Sequence, residues 1–165
     1  MIIREASLED AAQLVGLHEQ LDRETKFMLF EPGERVLSES RQRDTIISFR
    51  ESGNSNIFIA EVDKHIVGHL TVVGGQAKRN RHRGHVVIGI LSEFTGQGIG
   101  QGLFQAMESW RLTSALTRLE LTVMTHNANA IKLYQRMGFE IEGTKNKSII
   151  VNGAYVDEYY MAKVY

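Results

Sequence analysis

The segment Glu93-Phe94-Thr95-Gly96-Gln97-Gly98-Ile99-Gly100-Gln101-Gly102 sets a glycine at every second position from residue 96 to residue 102. It lies between an apolar run, Val86 to Leu91, and a stretch in which Ile99, Leu103, Ala106, Met107 and Trp110 recur at helical spacing. A strand therefore enters a glycine turn that opens a helix. Such a turn bares its main-chain N–H groups, lets a ligand approach closely and adds the positive end of the helix macrodipole. Together these suit a phosphate or pyrophosphate. Spacing excludes two common phosphate loops. A dinucleotide fingerprint G-x-G-x-x-G begun at Gly96 needs glycine where Gln101 stands, and begun at Gly98 needs it where Leu103 stands. A Walker loop needs Lys-Ser or Lys-Thr after the glycines, and neither dipeptide follows. On the glycines alone, a tight strand-to-helix turn that holds no ligand stays open as an alternative.

Side-chain chemistry is restricted to oxygen and nitrogen groups. The 165-residue chain has no cysteine, which removes disulfides, thiolate metal sites, iron–sulfur clusters and thiol nucleophiles together, and no metal is expected. Nineteen Lys plus Arg against 20 Asp plus Glu give a formal net charge of -1, so no overall basic field draws the chain to nucleic acid or an anionic membrane. The local basic cluster Lys78, Arg79, Arg81, His82 and Arg83 has no interleaved aromatics and reads as a solvated hairpin turn, with phosphate or RNA contact as the alternative. The N-terminal segment carries acids where a signal peptide is basic, and no apolar stretch approaches the length of a membrane span, so a cytoplasmic protein is expected. Hydrophobic residues at 42% and charged residues at 24% are ordinary globular values that argue against disorder.

The elements that must position the turn follow from periodicity. Ile2 to Arg4 reads as a short strand, and Ser7 with Asp10 resembles a capping box at the start of a helix ending near Glu24, with Ala11, Leu14, Val15, Leu17 and Leu21 on its apolar face. Lys26 to Gly33 is an apolar loop holding Phe27, Met28, Leu29 and Phe30 before the lone proline, Pro32, and a second helix is expected from Glu34 to about Glu51. Ile57 to Val62 and Ile66 to Val73 read as a hairpin about Asp63-Lys64-His65, and Val86 to Leu91 as a two-sided central strand. After the helix from Ile99 come a strand, Leu119 to Met124, and a short helix, Asn127 to Met137, with an Asn N-cap and Gly138 just past its end. Phe139 to Val164 closes the chain as two strands about the Asn152-Gly153 turn. The order is β-α-α-β-β-β-α-β-α-β-β. With no linker, repeat or low-complexity stretch, residues 1–165 are expected to form a single α/β (α+β) domain.

Thr95-Gly96-Gln97-Gly98-Ile99-Gly100 resembles the acetyl-CoA pyrophosphate loop, R/Q-x-x-G-x-G/A, of the GNAT (Gcn5-related) N-acetyltransferase superfamily. Downstream, Asn127-Ala-Asn-Ala130-Ile-Lys-Leu133-Tyr134, followed by Gly138-Phe139, resembles the second motif of that superfamily, N-x-x-A-x-x-L-Y and then G-F. The resemblance implies a mixed, mostly antiparallel central sheet with helices on both faces and a splay between the strand ending near Leu91 and the strand Leu119 to Met124. It implies that Ile90 and Leu91 meet the pantetheine and acetyl groups, that the amides from Gly96 through Gln97, Gly98, Ile99 and Gly100 to Gln101 hold the pyrophosphate, and that Asn127 and Ala130 line the cofactor arm. Thr95 departs from the pattern, since Arg or Gln is usual there, so one side-chain contact to pyrophosphate is expected to weaken or vanish.

The activity the resemblance implies is transfer of an acetyl group from acetyl-CoA to a primary amine of a small molecule or a peptide N-terminus, by direct attack in a ternary complex. Tyr134 matches the tyrosine that protonates the departing thiolate. His85 falls by register where many relatives carry a Glu, which makes it the first candidate for the base that deprotonates the amine, with Glu93 and His126 behind it. Acceptors are expected between the loop joining the first two helices, which supplies Phe27, Phe30 and Glu31, and the C-terminal hairpin, which supplies Tyr155. A homodimer is compatible with the resemblance. The alternative is a non-catalytic acyl-CoA-binding or regulatory domain.

Overall fold

Seven strands and four helices follow one another in the expected order in the computed structural model, which describes residues 1–165. They are β1 (Ile2–Glu5), α1 (Ala11–Glu24), α2 (Glu39–Ser52), β2 (Asn56–Val62), β3 (His65–Gly74), β4 (Arg83–Ile90), α3 (Ile99–Arg111), β5 (Arg118–Met124), α4 (Ala128–Arg136), β6 (Glu140–Val151) and β7 (Ala154–Val164). The strands form one sheet in the order β1-β2-β3-β4-β5-β7-β6. Every neighbouring pair is antiparallel except β4 with β5.

Local chemistry accounts for the element ends. Asp10 accepts from the Ser7 N–H at 2.7 Å and the Ser7 hydroxyl at 2.9 Å, and Arg4 grips it with two nitrogens at 2.7 and 2.9 Å. The hydrogen bonds from Arg4 hold the Asp10 carboxyl down at about 2 and tie β1 to the start of α1. The second helix begins at Glu39 rather than Glu34, because Ser38 caps it by accepting from the Arg41 N–H at 3.2 Å. Pro32 and Gly33, the latter at φ 76°, belong to the loop before it. The strand expected from Val86 starts three residues earlier at Arg83, since Arg83, Gly84 and His85 already pair with β5. Leu91 falls just past its end. Lys78, Arg79, Arg81 and His82 stay in the exposed turn between β3 and β4. The two tight hairpins turn on Asp63-Lys64, at φ 49° and 67°, and on Asn152-Gly153, at φ 50° and 77°. Paired positive φ values of this kind give the turn whose twist matches the flanking strands.

Cross-strand register identifies the faces of the sheet. Ile59, His69 and Gly89 are paired across β2, β3 and β4, and a β-carbon at Gly89 would lie 2.7 Å from Leu21, so this is the face beneath α1. Phe58, Leu70 and Ile88 are on the other face, where the Phe58 ring meets Trp110 of α3 at 5.8 Å. Helix α4 joins α3 there: a β-carbon at Gly100 would lie 2.7 Å from Leu133. Helices thus flank both faces. Helices α1 and α2 pack principally against β3 and β2, which leaves the same face of β5, β7 and β6 without helical cover.

The parallel pair is the exceptional one. Strands β4 and β5 stay in register for only three residue pairs, Arg83 with Arg118, Gly84 with Leu119 and His85 with Glu120. Beyond that point β4 remains paired to β3 as far as Ile90, and β5 remains paired to β7 as far as Met124. The sheet therefore opens between them. No helix is long and apolar enough to cross a membrane.

Candidate functional site

The direction of the free main-chain groups follows from the outer pairings of the two splayed strands. The Gly75 N–H takes the Arg83 carbonyl and the Leu91 N–H gives to Val67, so odd-numbered residues of β4 bond to β3. The alternate residues, Val86, Ile88 and Ile90, turn their N–H and C=O groups toward β5. On β5 the Thr125 N–H gives to Asp157 and the Tyr165 N–H to Thr117, so Thr122 and Met124 face back across the gap. An extended amide chain can pair with these edges as a strand would. Both main-chain groups of Leu91 are engaged inside the protein, the N–H with Val67 and the carbonyl with the Phe94 N–H. Ile88, which the motif does not mark, lies by the opening with Ile90, and the main-chain groups of Leu91 do not face it. A two-sided apolar strand carries no signal of its phase, so the motif alone could not have found Ile88.

At the end of β4 the glycine turn presents a row of free N–H groups that could take an anion. No N–H from Gly96 through Gln101 has an acceptor within the protein, and the first helical bond of α3 runs from the Gly102 N–H to the Gly98 carbonyl. Gly96 and Gly98 sit at φ 75° and 82°, and a β-carbon on either would meet no atom within 4 Å, so their need is conformational and the space around them is open. Gly100 is small for a different reason, its contact with Leu133. The turn is braced from within. The Thr95 hydroxyl donates to the Ser92 carbonyl at 2.8 Å, Gln97 donates to the Glu93 carbonyl at 3.0 Å, and Glu24 of α1 accepts from the Ser92 N–H at 2.6 Å. Glu93 supplies a carbonyl to this bracing.

Tyr134, at 8% exposure, packs edge-on against Phe104 with ring centres 5.9 Å apart and against Phe139 at 6.2 Å. Burial pushes its phenol up to about 12. Its helix is started by Asn127, whose side chain accepts from the Ala130 N–H at 3.4 Å, and is ended by Gly138 at φ 91°. The two halves of the second motif thus set one buried hydroxyl-bearing ring of α4 against α3, the helix that the glycine turn opens.

On the opposite face, a cavity of about 290 Å³ is lined by His85 and Arg83 of β4, Arg118, Glu120 and Thr122 of β5, Glu142 of β6, and Tyr160 and Met161 of β7 among others. His85 is exposed along one side. Desolvation by the cavity walls lowers its pKa from 6.5, and Glu120 and Glu158 oppose that shift. Arg118 is committed to Glu120 at 3.0 Å and to Glu142, and Arg83 lies 3.5 Å from Glu120. A neutral imidazole beside carboxylates can accept a proton.

The remaining expected acceptor residues divide. Phe27 reaches across to the turn after β5, its ring 5.2 Å from that of His126, and Phe30 lies under the Arg35 guanidinium at 4.9 Å. The exposed Glu31 gives its N–H to Glu34 within the loop. Tyr155 stands at the hairpin tip, 64% exposed with the Lys147 ammonium 5.0 Å from its ring centre, away from His85. Lys145, which the sequence did not single out, lies over the Tyr160 ring at 5.3 Å and so beside the His85 cavity. No group of three or more His, Asp or Glu is placed to hold a metal ion.

Comparison with known proteins bears on this geometry. Residues 17–139 match the acetyltransferase (GNAT) family. A curated relative, the L-amino acid N-acetyltransferase AaaT of Escherichia coli (strain K12), is 41% identical over 110 residues, which cover 64% of this chain and 66% of that protein, a little under two thirds of its length. Among solved structures, an acetyltransferase of the GNAT family from Streptococcus pneumoniae superposes with a TM-score of 0.94 at 31% identity, covering 99% of this chain and 98% of that one. A putative acetyltransferase from Salmonella typhimurium, solved with its cofactor acetyl-CoA, shares the fold with a TM-score of 0.86 at 15% identity, over 99% of this chain and 92% of its own.

Proposed function

Because the chain belongs to the GNAT acetyltransferase family, we propose that it is an acetyl-CoA-dependent N-acetyltransferase acting on a primary amine, of a small molecule or a peptide N-terminus, by direct attack with both substrates bound. The observation that carries this reading is the continuity of the opening between β4 and β5. It leads from the unpaired N–H row of Gly96 to Gln101, past the free main-chain edges of Ile88 and Ile90, and separates Tyr134 on one face from His85 on the other. The relative named for L-amino acid acetylation supports a small-molecule acceptor.

Each residue has a defined task. The amides from Gly96 to Gln101 hold the pyrophosphate, and the free edges of Ile88 and Ile90 align the extended arm, with Asn127 and Ala130 beside it. Acetyl-CoA supplies an acetyl group activated as a thioester. Tyr134 donates its O–H toward the sulfur as charge develops there. With the phenol at about 12 and a thiol near 8.5, full proton transfer is uphill by roughly 3.5 units, so the hydroxyl acts chiefly as a hydrogen-bond donor that stays protonated throughout the working range. His85 accepts the proton of the attacking ammonium, directly or through water, and its lowered pKa keeps the ring neutral at pH 7. Phe27 and Phe30 wall the acceptor side.

The test is release of CoA thiol from acetyl-CoA with polyamines, amino acids, aminoglycosides and short peptides, against a blank without acceptor. Acceptor-dependent release establishes the reaction. A rise in melting temperature with acetyl-CoA but no release with any acceptor instead favours the acyl-CoA-binding domain, the alternative that fits the engagement of Thr95 within its own turn.

A further inference from the structure

Two other cations line the His85 cavity and are already committed, Arg83 to Glu120 and Arg118 to Glu120 and Glu142. Lys145 is not. Its ammonium makes no hydrogen bond and stands 3.9 Å from Glu158 Oε1, an oxygen already accepting from the Ser148 hydroxyl at 2.5 Å. The same ammonium lies over the ring of Tyr160, which lines the cavity with His85. Glu158 in turn is held in place: its side chain is only 15% exposed, and its second oxygen has no partner. Lys145 and Glu158 are directly paired across β6 and β7, and Glu158 pairs with Met124 at the end of β5, past the point where β4 and β5 part. A cation and an anion are thus fixed side by side, each with binding capacity left, on the uncovered face that carries His85. Both act on the imidazole electrostatically, Glu158 raising and Lys145 lowering its pKa.

We propose that Lys145 and Glu158 form a subsite for the zwitterionic head of a free α-amino acid, Lys145 taking the α-carboxylate and Glu158 the α-ammonium before His85 receives its proton. This deepens the acetyltransferase reading and rests on it. The complementarity is specific. A free amino acid carries its carboxylate one carbon from the amine, so both charges fall on one lysine–glutamate pair, whereas a peptide N-terminus or an aliphatic amine has no anion there. Such an acceptor leaves Lys145 with Glu158 alone and forfeits a charge-assisted hydrogen bond.

The experiment compares kcat/KM for L-amino acids with that for their α-amides and decarboxylated amines, in the wild type, Lys145→Met, Lys145→Arg and Glu158→Gln. The wild type is expected to prefer the acid over the amide by roughly 10- to 100-fold, mainly through KM. Lys145→Met reduces that preference toward one, and Lys145→Arg restores most of it, a recovery that general damage to the hairpin would not give. Glu158→Gln raises KM for acid and amide alike. Lys147→Met, at the neighbouring lysine on Tyr155, keeps the wild-type preference. An unchanged acid-to-amide preference in Lys145→Met, with active enzyme, overturns the subsite and leaves the acetyltransferase reading intact. Absence of thiol release with every acceptor is instead the failure of that reading.

Discussion

His69 and His85 lie on the same face of adjacent strands, one beneath α1 and one just beyond it. His69 is 2% exposed, its ring meets that of His18 at 4.6 Å, its Nδ1 is 3.0 Å from the Thr71 hydroxyl, and its Nε2 has no partner. Burial pushes its pKa well below 6.5, with His18 and Arg35 adding to the shift. His85 loses less water and is faced by Glu120 and Glu158, so its shift is opposed. The same side chain is thus a packing element under a helix and an exposed ring where the helix stops. The same contrast separates the two sides of the site. The proposed cofactor side uses mostly main-chain groups that a short motif specifies, whereas the proposed acceptor side gathers side chains from β4 to β7 and from the loop before α2.

Removing Tyr134 tests that division most sharply. Tyr134→Phe should lower kcat by roughly 10- to 1000-fold and keep acetyl-CoA affinity within a few-fold, read by steady-state kinetics beside a binding titration. In the wild type Tyr134 should add no alkaline loss below pH 10, because its phenol sits at about 12.

The covered histidines should appear in stability instead. Burial holds His18 at about 4 in the folded state against 6.5 unfolded, so the unfolded chain takes up its proton first as pH falls. Stability is full above pH 6.5, declines between 6.5 and 4, and loses about 3 kcal/mol through His18 across that window. Urea unfolding at pH 7 and pH 4.5 should show the decline in the wild type and a smaller one in His18→Gln. Equal declines would assign the acid sensitivity elsewhere.

The main-chain side is broken by Gly98→Ala, which forces a β-carbon into φ 82° where no atom opposes it. A left-handed alanine costs about 1–2 kcal/mol, which predicts acetyl-CoA binding weakened by roughly 5- to 30-fold with kcat at saturation nearly kept. The smallest expected effect is at His85, where water can partly replace the side chain. His85→Ala should lose roughly tenfold in kcat/KM at pH 7 and recover part of it at higher pH, where more acceptor amine is already neutral. A loss equal at every pH would remove His85 as the base.

Much of the frame was legible without coordinates. Glycine spacing, the Asn127 cap, the Asn152-Gly153 turn and the run from Asn127 to Phe139 each report on neighbours a few residues away, and all kept their places. The errors lay where distant partners decide. The expected start of α2 at Glu34 moves to Glu39 because Ser38 is the cap, and the expected start of β4 at Val86 moves to Arg83 because its first residues owe their extension to β5. Of the expected acceptor residues, Tyr155 stands off at the hairpin tip, and Lys145, which lies over Tyr160, gave no signal.

The sequence by itself determined the turn chemistry, the order of elements and the residues able to hold a phosphate, because backbone conformation and helix capping are short-range properties. Only the tertiary structure decided which main-chain groups face the opening, which histidine is covered and which lysine stands beside the His85 cavity without a hydrogen bond. Strand phase, desolvation and ion pairing depend on side chains brought together from β3 to β7, and no local spacing records those contacts.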